Sequence, residues 1–238
     1  MGRYKEVNIA IKKQAAVYIN SAVKAGVVRR FFDQDFYAFA YHMCAMKLIE
    51  KPSHNSMIQV LQSKLPYKLL VCPRGSFKSS LAAIAYPIWR LTKDPNLRIM
   101  IASELYTNSK NFIRQIRSII KSESFRAIYG DLVGETWGEG EIIVKTRTVD
   151  KKEASVTAVG IGTIKVGAHA DLLIFDDMNS QNNSDSKEKA EKVTDYYKYM
   201  LSILDPGGEI VITATRYSLN DLPEFILKNE IGDENAYF

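Results

Sequence analysis

Two short stretches carry residues whose types and spacing suit phosphate chemistry. The first, Leu69-Leu70-Val71-Cys72-Pro73-Arg74-Gly75-Ser76-Phe77-Lys78-Ser79-Ser80, passes from an apolar, strand-like segment through a turn into Lys-Ser and then a helical pattern. Unpaired backbone N–H groups at a helix N-terminus attract anions, and a lysine beside them adds a full charge. Pro73, Gly75, Ser76, Phe77, Lys78, Ser79 and Ser80 are therefore candidate contacts for the phosphates of a nucleotide. The spacing departs from G-x-x-x-x-G-K-[ST]. With Lys78 in place, Cys72 and Phe77 occupy the two glycine positions, and only Gly75 is left to relax the turn. Two backbone solutions are expected: Phe77 avoids a positive φ, or Gly75 alone makes the sharp turn, with the Phe77 ring turned outward as a lid or a contact between subunits. An ordinary strand-turn-helix connection would look similar.

The second stretch, Asp171-Leu172-Leu173-Ile174-Phe175-Asp176-Asp177, reads as a buried strand that delivers two carboxylates to its C-terminal end. Doubly wound sheets bind ligands at that edge. Mg²⁺ is a hard cation, commonly held by one carboxylate, a hydroxyl and the phosphates themselves, which Asp176 and Ser79 would supply. Asp177, one residue on, is then free to polarise the water that attacks the γ-phosphorus of ATP. A third segment, Glu209-Ile210-Val211-Ile212-Thr213-Ala214-Thr215-Arg216, brings hydroxyls to the same edge if its strand is parallel. There Thr213 and Thr215 either sense the γ-phosphate or simply satisfy neighbouring backbone.

The elements that must position these groups alternate. Strands are expected at 67–71, 97–103, 171–176 and 209–216, and helices at 79–91, 108–121 and 186–204. This predicts an α/β fold of the P-loop NTPase type, a mainly parallel sheet with helices on both faces. Between residues 130 and 160, glycines punctuate two shorter strands, Glu141–Thr146 and Ser155–Val159, a small β-rich addition. The stretch from Gly160 to Gly167 reads as a loop, and Asp205-Pro206-Gly207-Gly208 as a turn. Phe31 to Phe39 is an aromatic cluster opening a helix that runs to about Ile49, with Lys51–Pro66 a connection holding a short helix. Phe36, Tyr37 or Gln34 either touch a base or belong to the core.

Net charge is +5 over 238 residues. Residues 1–30 hold seven cations against Glu6, a local +6, so the rest of the chain is near neutral at −1. Apolar spacing from Val7 to Val28 predicts a basic amphipathic N-terminal helix ending near Gly26, facing nucleic acid, an acidic partner or only solvent. No run reaches the roughly 18 apolar residues that cross a bilayer, and the N-terminus lacks a signal-peptide pattern. Cys44 and Cys72 form neither a disulfide framework nor a metal-ligand spacing. The expectation is a soluble intracellular protein with an ATPase domain over 31–238.

In this order and spacing the segments resemble the ATPase part of the large subunit of tailed-bacteriophage DNA-packaging terminases. The likeness runs through Cys72 to Ser79, Arg98 to Glu104, Asn111 to Arg117, Ser155 to Gly160, Asp171 to Asp177, Leu204 to Gly208, and Thr215-Arg216 with Asn220-Asp221-Leu222. The resemblance implies an Mg²⁺-dependent ATPase that pushes double-stranded DNA into a procapsid in the host cytoplasm. It would act as a ring on a portal protein, together with a small terminase subunit, with a monomer as the alternative for the isolated domain. Under it, Lys78 matches the phosphate-binding lysine, Ser79 the metal-binding hydroxyl, and Arg74 an arginine that reaches the γ-phosphate. Asp176 matches the metal-binding acid, Asp177 the carboxylate that activates water, and Thr213-Ala214-Thr215 the motif coupling hydrolysis to movement. An arginine from a neighbouring subunit is also implied, with Arg114, Arg117, Arg126 and Arg147 as candidates.

Phe77 in place of a glycine and Asp177 in place of the commoner Glu depart from the family pattern. The chain also stops at Phe238 without the acid cluster of the nuclease domain that usually follows, so nuclease activity is not expected. Two other readings share these motifs: a helicase-like remodelling ATPase, and a catalytically weak nucleotide-binding or portal-docking module.

Overall fold

The computed structural model describes residues 22–163, 167–180, 183, 186–218 and 221–231. The expected helix from Val7 to Val28 lies mostly outside them. Its described part, α1 (Ala22–Gln34), runs straight through Gly26 instead of ending there. Asp35 then interrupts the chain and caps α2 (Phe36–His42), its carboxylate accepting from Ala38 N–H. The helix expected to run from the aromatic cluster to Ile49 is thus split at Asp35, whose side chain starts a new helix, and it ends at His42, with Ala45 at φ +55°. The connection that follows is a full helix, α3 (Lys51–Gln62), with Pro52 in its first turn.

Strand β1 (Tyr67–Val71) leads to a wide π-helical turn, Ser80–Ala85, that continues into α4 (Tyr86–Lys93). Pro87 explains the widening: it has no N–H to offer the turn before it. Next come β2 (Ile99–Ser103), α5 (Tyr106–Lys121), α6 (Glu123–Tyr129), β3 (Val133–Trp137), β4 (Glu141–Val144), β5 (Val156–Gly160) and β6 (Ala170–Asp176). The chain ends its described part with α7 (Lys187–Leu201), β7 (Leu204–Ala214) and α8 (Leu222–Ile226), which runs on as a π turn to Ile231.

The seven strands form one sheet in the order β1-β7-β6-β2-β5-β4-β3. Pairing is parallel from β1 to β5 along that order, and antiparallel where β4 and β3 are added. The architecture is α/β, and its mostly parallel sheet is compatible with that of a P-loop NTPase. Of the two strands expected in the β-rich addition, β5 is instead a parallel member of the main sheet beside β2, and β4, with the unexpected β3, extends its edge.

Alternate residues of the central strands feed opposite cores. Ile99, Ile101, Leu172 and Ile174 join the cluster under the helices before β3, while Met100, Ala102, Leu173 and Phe175 join Val193, Tyr197, Met200 and Ile226 on the other face. A strand buried on both sides reads as an unbroken apolar run, which is why β6 was legible as a strand.

Strand β7 differs from expectation, because Asp205-Pro206-Gly207-Gly208 lies inside it. The pairing jumps from Ala170↔Leu204 to Leu172↔Glu209, so extra residues bulge out of the ladder. Gly207, at φ +80°, supplies the backbone that lets them do so. At the same end, Arg98 bonds both oxygens of Asp171, at 2.8 and 3.0 Å, and pairs with Asp205, tying β2 to β6 and to the bulge. Burial pushes the Asp171 carboxyl up, but the hydrogen bonds and charge of Arg98 outweigh it and hold the pKa at about 2.

Candidate nucleotide site

Because β7 lies between β1 and β6, the C-terminal ends of these three strands meet at one edge. The loop 72–79 leaves β1 there, and its turn uses two left-handed residues, Gly75 at φ +79° and Phe77 at φ +59°. Both expected solutions are therefore corrected: Phe77 accepts a positive φ, which costs a non-glycine residue roughly 1–2 kcal/mol. Its ring does not turn outward. It packs against the core and meets the His54 imidazole edge-on at 5.6 Å, and that burial offsets the backbone cost. His54 is itself buried, with Nδ1 at 3.0 Å from Glu50 N.

Lys78 is buried and reaches across the edge, donating from Nζ to Thr215 Oγ1 at 2.8 Å and pairing with Asp177 Oδ2 at 3.0 Å. The loop is further tied to β7 by Cys72 N–H to the Ala214 carbonyl, at 3.0 Å. Pro73, Arg74 and Gly75 are exposed, while Ser76, Ser79 and Ser80 are half-buried. Arg74 lies over the chain just beyond β7, donating from Nε and Nη2 to the Tyr217 hydroxyl at 3.1 and 2.5 Å.

Asp176 sits in the middle of this edge, 5% exposed, and Thr213 Oγ1 donates to its Oδ1 at 2.6 Å. Burial raises its pKa; hydrogen bonds from Thr213 and Ser79 and the charge of Lys78 act the other way, and Asp177 adds to the rise. Asp177 departs from the strand at φ +41°, with its N–H fixed to the Thr213 carbonyl at 3.0 Å. Its second oxygen, Oδ1, is buried and accepts no hydrogen bond, and the buried Ser103 Oγ, on β2 beside Asp176, is likewise unpartnered. Unmet polar atoms of this kind are costly unless a ligand or ion completes them.

Among the described residues there is no cluster of three or more His, Cys, Asp or Glu able to hold a metal. A metal at this edge would rest on fewer protein oxygens. A buried carboxylate with a raised pKa, a serine hydroxyl facing it and a bare carboxylate oxygen nearby form a hard-oxygen donor set of the kind Mg²⁺ takes alongside phosphates. The residues fit the ion. Two cavities, about 350 Å³ between α7 and α8 and about 270 Å³ beside Arg90 and Glu209, are lined by none of the loop residues and by neither Asp176 nor Asp177.

Sequence reasoning gave no bracing role to the residues that hold this edge. Asp221 is fully buried, caps α8, accepts from Tyr217 N–H at 3.0 Å and pairs with Arg216 Nε at 3.3 Å. Asn179, two residues past Asp177, accepts from Leu222 N–H at 2.9 Å and so joins the acid-bearing segment to α8. Asp221 followed by Leu-Pro was a readable helix start. Nothing local marks Tyr217 or Ser103.

Of the aromatic cluster, Phe36 is wholly buried against Tyr86 and Trp89 and is core. Tyr37 is half-buried and stacks on Tyr41, and Gln34 is exposed. Among the arginines considered for a neighbouring site, Arg114 is exposed on α5, Arg126 pairs with Asp131, and Arg147 donates to the Glu153 carbonyl with its Nε and Nη2 buried.

No protein-family model matches the chain. It is distantly similar to the terminase large subunit of Enterobacteria phage T3. The two are 23% identical over 211 residues, which covers 85% of this chain and 34% of that protein. The chain thus spans about a third of the length of its curated relative. Among the described residues no helix is long and apolar enough to cross a membrane.

Proposed function

We propose that this chain is the ATP-hydrolysing part of a DNA-packaging terminase large subunit, with Mg²⁺ as cofactor and double-stranded DNA as the translocated partner. One observation carries the reading: Lys78 Nζ spans from the loop to both Asp177 and Thr215, with Asp176 buried beside them. A buried cation, its paired acid and a strand-end hydroxyl thus share one edge, the groups that an in-line attack of water on a γ-phosphate uses. The distant similarity to a terminase large subunit supports the packaging role.

In this reading Lys78 leaves Asp177 and Thr215 for the phosphates. Asp177, released, holds the attacking water and accepts its proton. Backbone N–H groups of residues 75–79 and the guanidinium of Arg74 bear charge that develops on the phosphate oxygens. Ser79 and Asp176 would hold Mg²⁺, which would neutralise phosphate charge. Thr213, bonded to Asp176, and Thr215, bonded to Lys78, register the change and carry it into β7. As the motor of a virus, the chain would work as a homo-oligomeric ring with a portal protein and a small terminase subunit, at a procapsid in the host cytoplasm.

Phosphate release from ATP tests this. Lys78→Ala and Asp176→Ala are each expected to lower Mg²⁺-dependent turnover at least 100-fold, in line with the loss of central charge-stabilising groups. Turnover unchanged in either variant overturns the assignment.

A further inference from the structure

We propose that Tyr217 is a positioning residue: its hydroxyl holds the Arg74 guanidinium in the nucleotide-free state, and an arriving triphosphate must take the guanidinium from it. The inference rests on the nucleotide reading above and adds to it a residue outside every phosphate-binding motif of the sequence. Two donors of Arg74, Nε and Nη2, converge on the one phenolic oxygen, and the guanidinium carbon lies 5.5 Å from the centre of the Tyr217 ring.

The chain that carries the phenol is anchored. Tyr217 N–H is bonded to Asp221, which is fully buried, caps α8 and binds Arg216. Arg74 sits instead on an exposed stretch of loop beside Gly75 at φ +79°. Lys78 is held in the same way by Thr215. In this state both cations of the loop spend their hydrogen bonds on residues 215–217, just past β7.

A phosphate competes well for such a donor, because it adds a negative charge that the neutral phenol lacks and offers two oxygens to the planar guanidinium, which can then bond both. The exchange therefore favours a triphosphate, yet each bond given up lowers the apparent affinity. Tyr217→Phe keeps the ring beside the guanidinium and removes only the acceptor.

The test titrates MgATP, as a non-hydrolysable analogue, and AMP into the unmodified chain, Tyr217→Phe, Arg74→Ala and the double variant. It is paired with steady-state turnover. Tyr217→Phe is expected to tighten the ATP analogue about 2- to 10-fold, the span of one net hydrogen bond, and to leave AMP binding unchanged. KM for ATP should fall accordingly. In the Arg74→Ala background the same substitution should have no effect on affinity. Unchanged affinity in Tyr217→Phe, equal tightening of AMP, or tightening that persists without Arg74 overturns the proposal while leaving the nucleotide reading in place. An unmodified chain that binds no MgATP overturns both.

Discussion

Asp176 is a carboxylate with almost no water around it, and its burial raises its pKa. Because the folded-state value lies above the unfolded one, the folded chain binds the extra proton between the two. Stability therefore falls as pH rises across that interval and stays lower above it. Without Mg²⁺ and nucleotide, the site thus holds a charge that works against the fold. Asp176→Asn keeps the Oδ1 that accepts from Thr213 and removes the charge. In chelator at pH 7 the variant should melt higher, by about 2–4 °C for each ~1 kcal/mol recovered. The difference should narrow by about pH 4, where the unfolded Asp is half protonated, and vanish at about pH 3 and below. Parallel thermal melts at pH 4 and 7 decide it, and a lower melting point at pH 7 would refute the electrostatic account. The same variant should lose Mg²⁺-dependent nucleotide binding, separating what the fold prefers from what the site requires.

At the level of elements, the loop after β1 shows where sequence reading stops. Its position was legible because an apolar run, Leu69 to Val71, precedes a Gly-containing turn and a Lys-Ser pair, each a local signal. The central strand β6 was equally legible, since a strand covered on both faces needs apolar residues at every position. What the sequence withheld was long-range. Nothing in Phe77 itself tells that His54, on a helix read as a connection, waits to receive its ring. Likewise the insertion of β7 between β1 and β6, which brings Thr213 to Asp176 and Thr215 to Lys78, depends on strand order, and strand order leaves no local mark. The Phe77 geometry makes a prediction that inverts a common ranking. In an ordinary element Gly is worse than Ala, but at φ +59° Ala keeps the backbone cost that Gly escapes, and both lose the ring. Phe77→Ala should therefore be less stable than Phe77→Gly, by about 1 kcal/mol. Urea denaturation of the two variants checks the order; Ala at or above Gly would mean that the left-handed turn is not retained.

For the whole molecule, the edge strand β1 must be held firmly if the loop it carries is to face Asp176 and Thr215. At the end of β1 away from the loop, Lys68 is 1% exposed and pairs with Glu209 of β7, to which Tyr86 and Arg90 of α4 also bond. Arg90 Nη1 lies 2.9 Å from the Tyr86 hydroxyl, so the four side chains form one polar clamp between the strand pair and a helix. One acid here answers two cations. Burial and the charge of Arg90 together lower the Lys68 pKa to about 8, a sign of how little water reaches it. Removing the shared counter-charge should be costly, because breaking a buried pair strands the partner's charge, typically at about 3–5 kcal/mol. Glu209→Gln is nearly isosteric and leaves Lys68 and Arg90 facing each other. Its urea midpoint should fall by an amount in that range once multiplied by an unchanged denaturant slope. Adding Lys68→Met, which removes the buried ammonium and keeps most of its volume, should restore a large part of the loss. If the single variant is as stable as the unmodified chain, the clamp is not what holds β1. If the double variant is no better than the single, the loss comes from packing and not from stranded charge. Because the clamp and the candidate site sit at opposite ends of β1, the double variant should also bind nucleotide as the unmodified chain does, so that stability and site function are read separately.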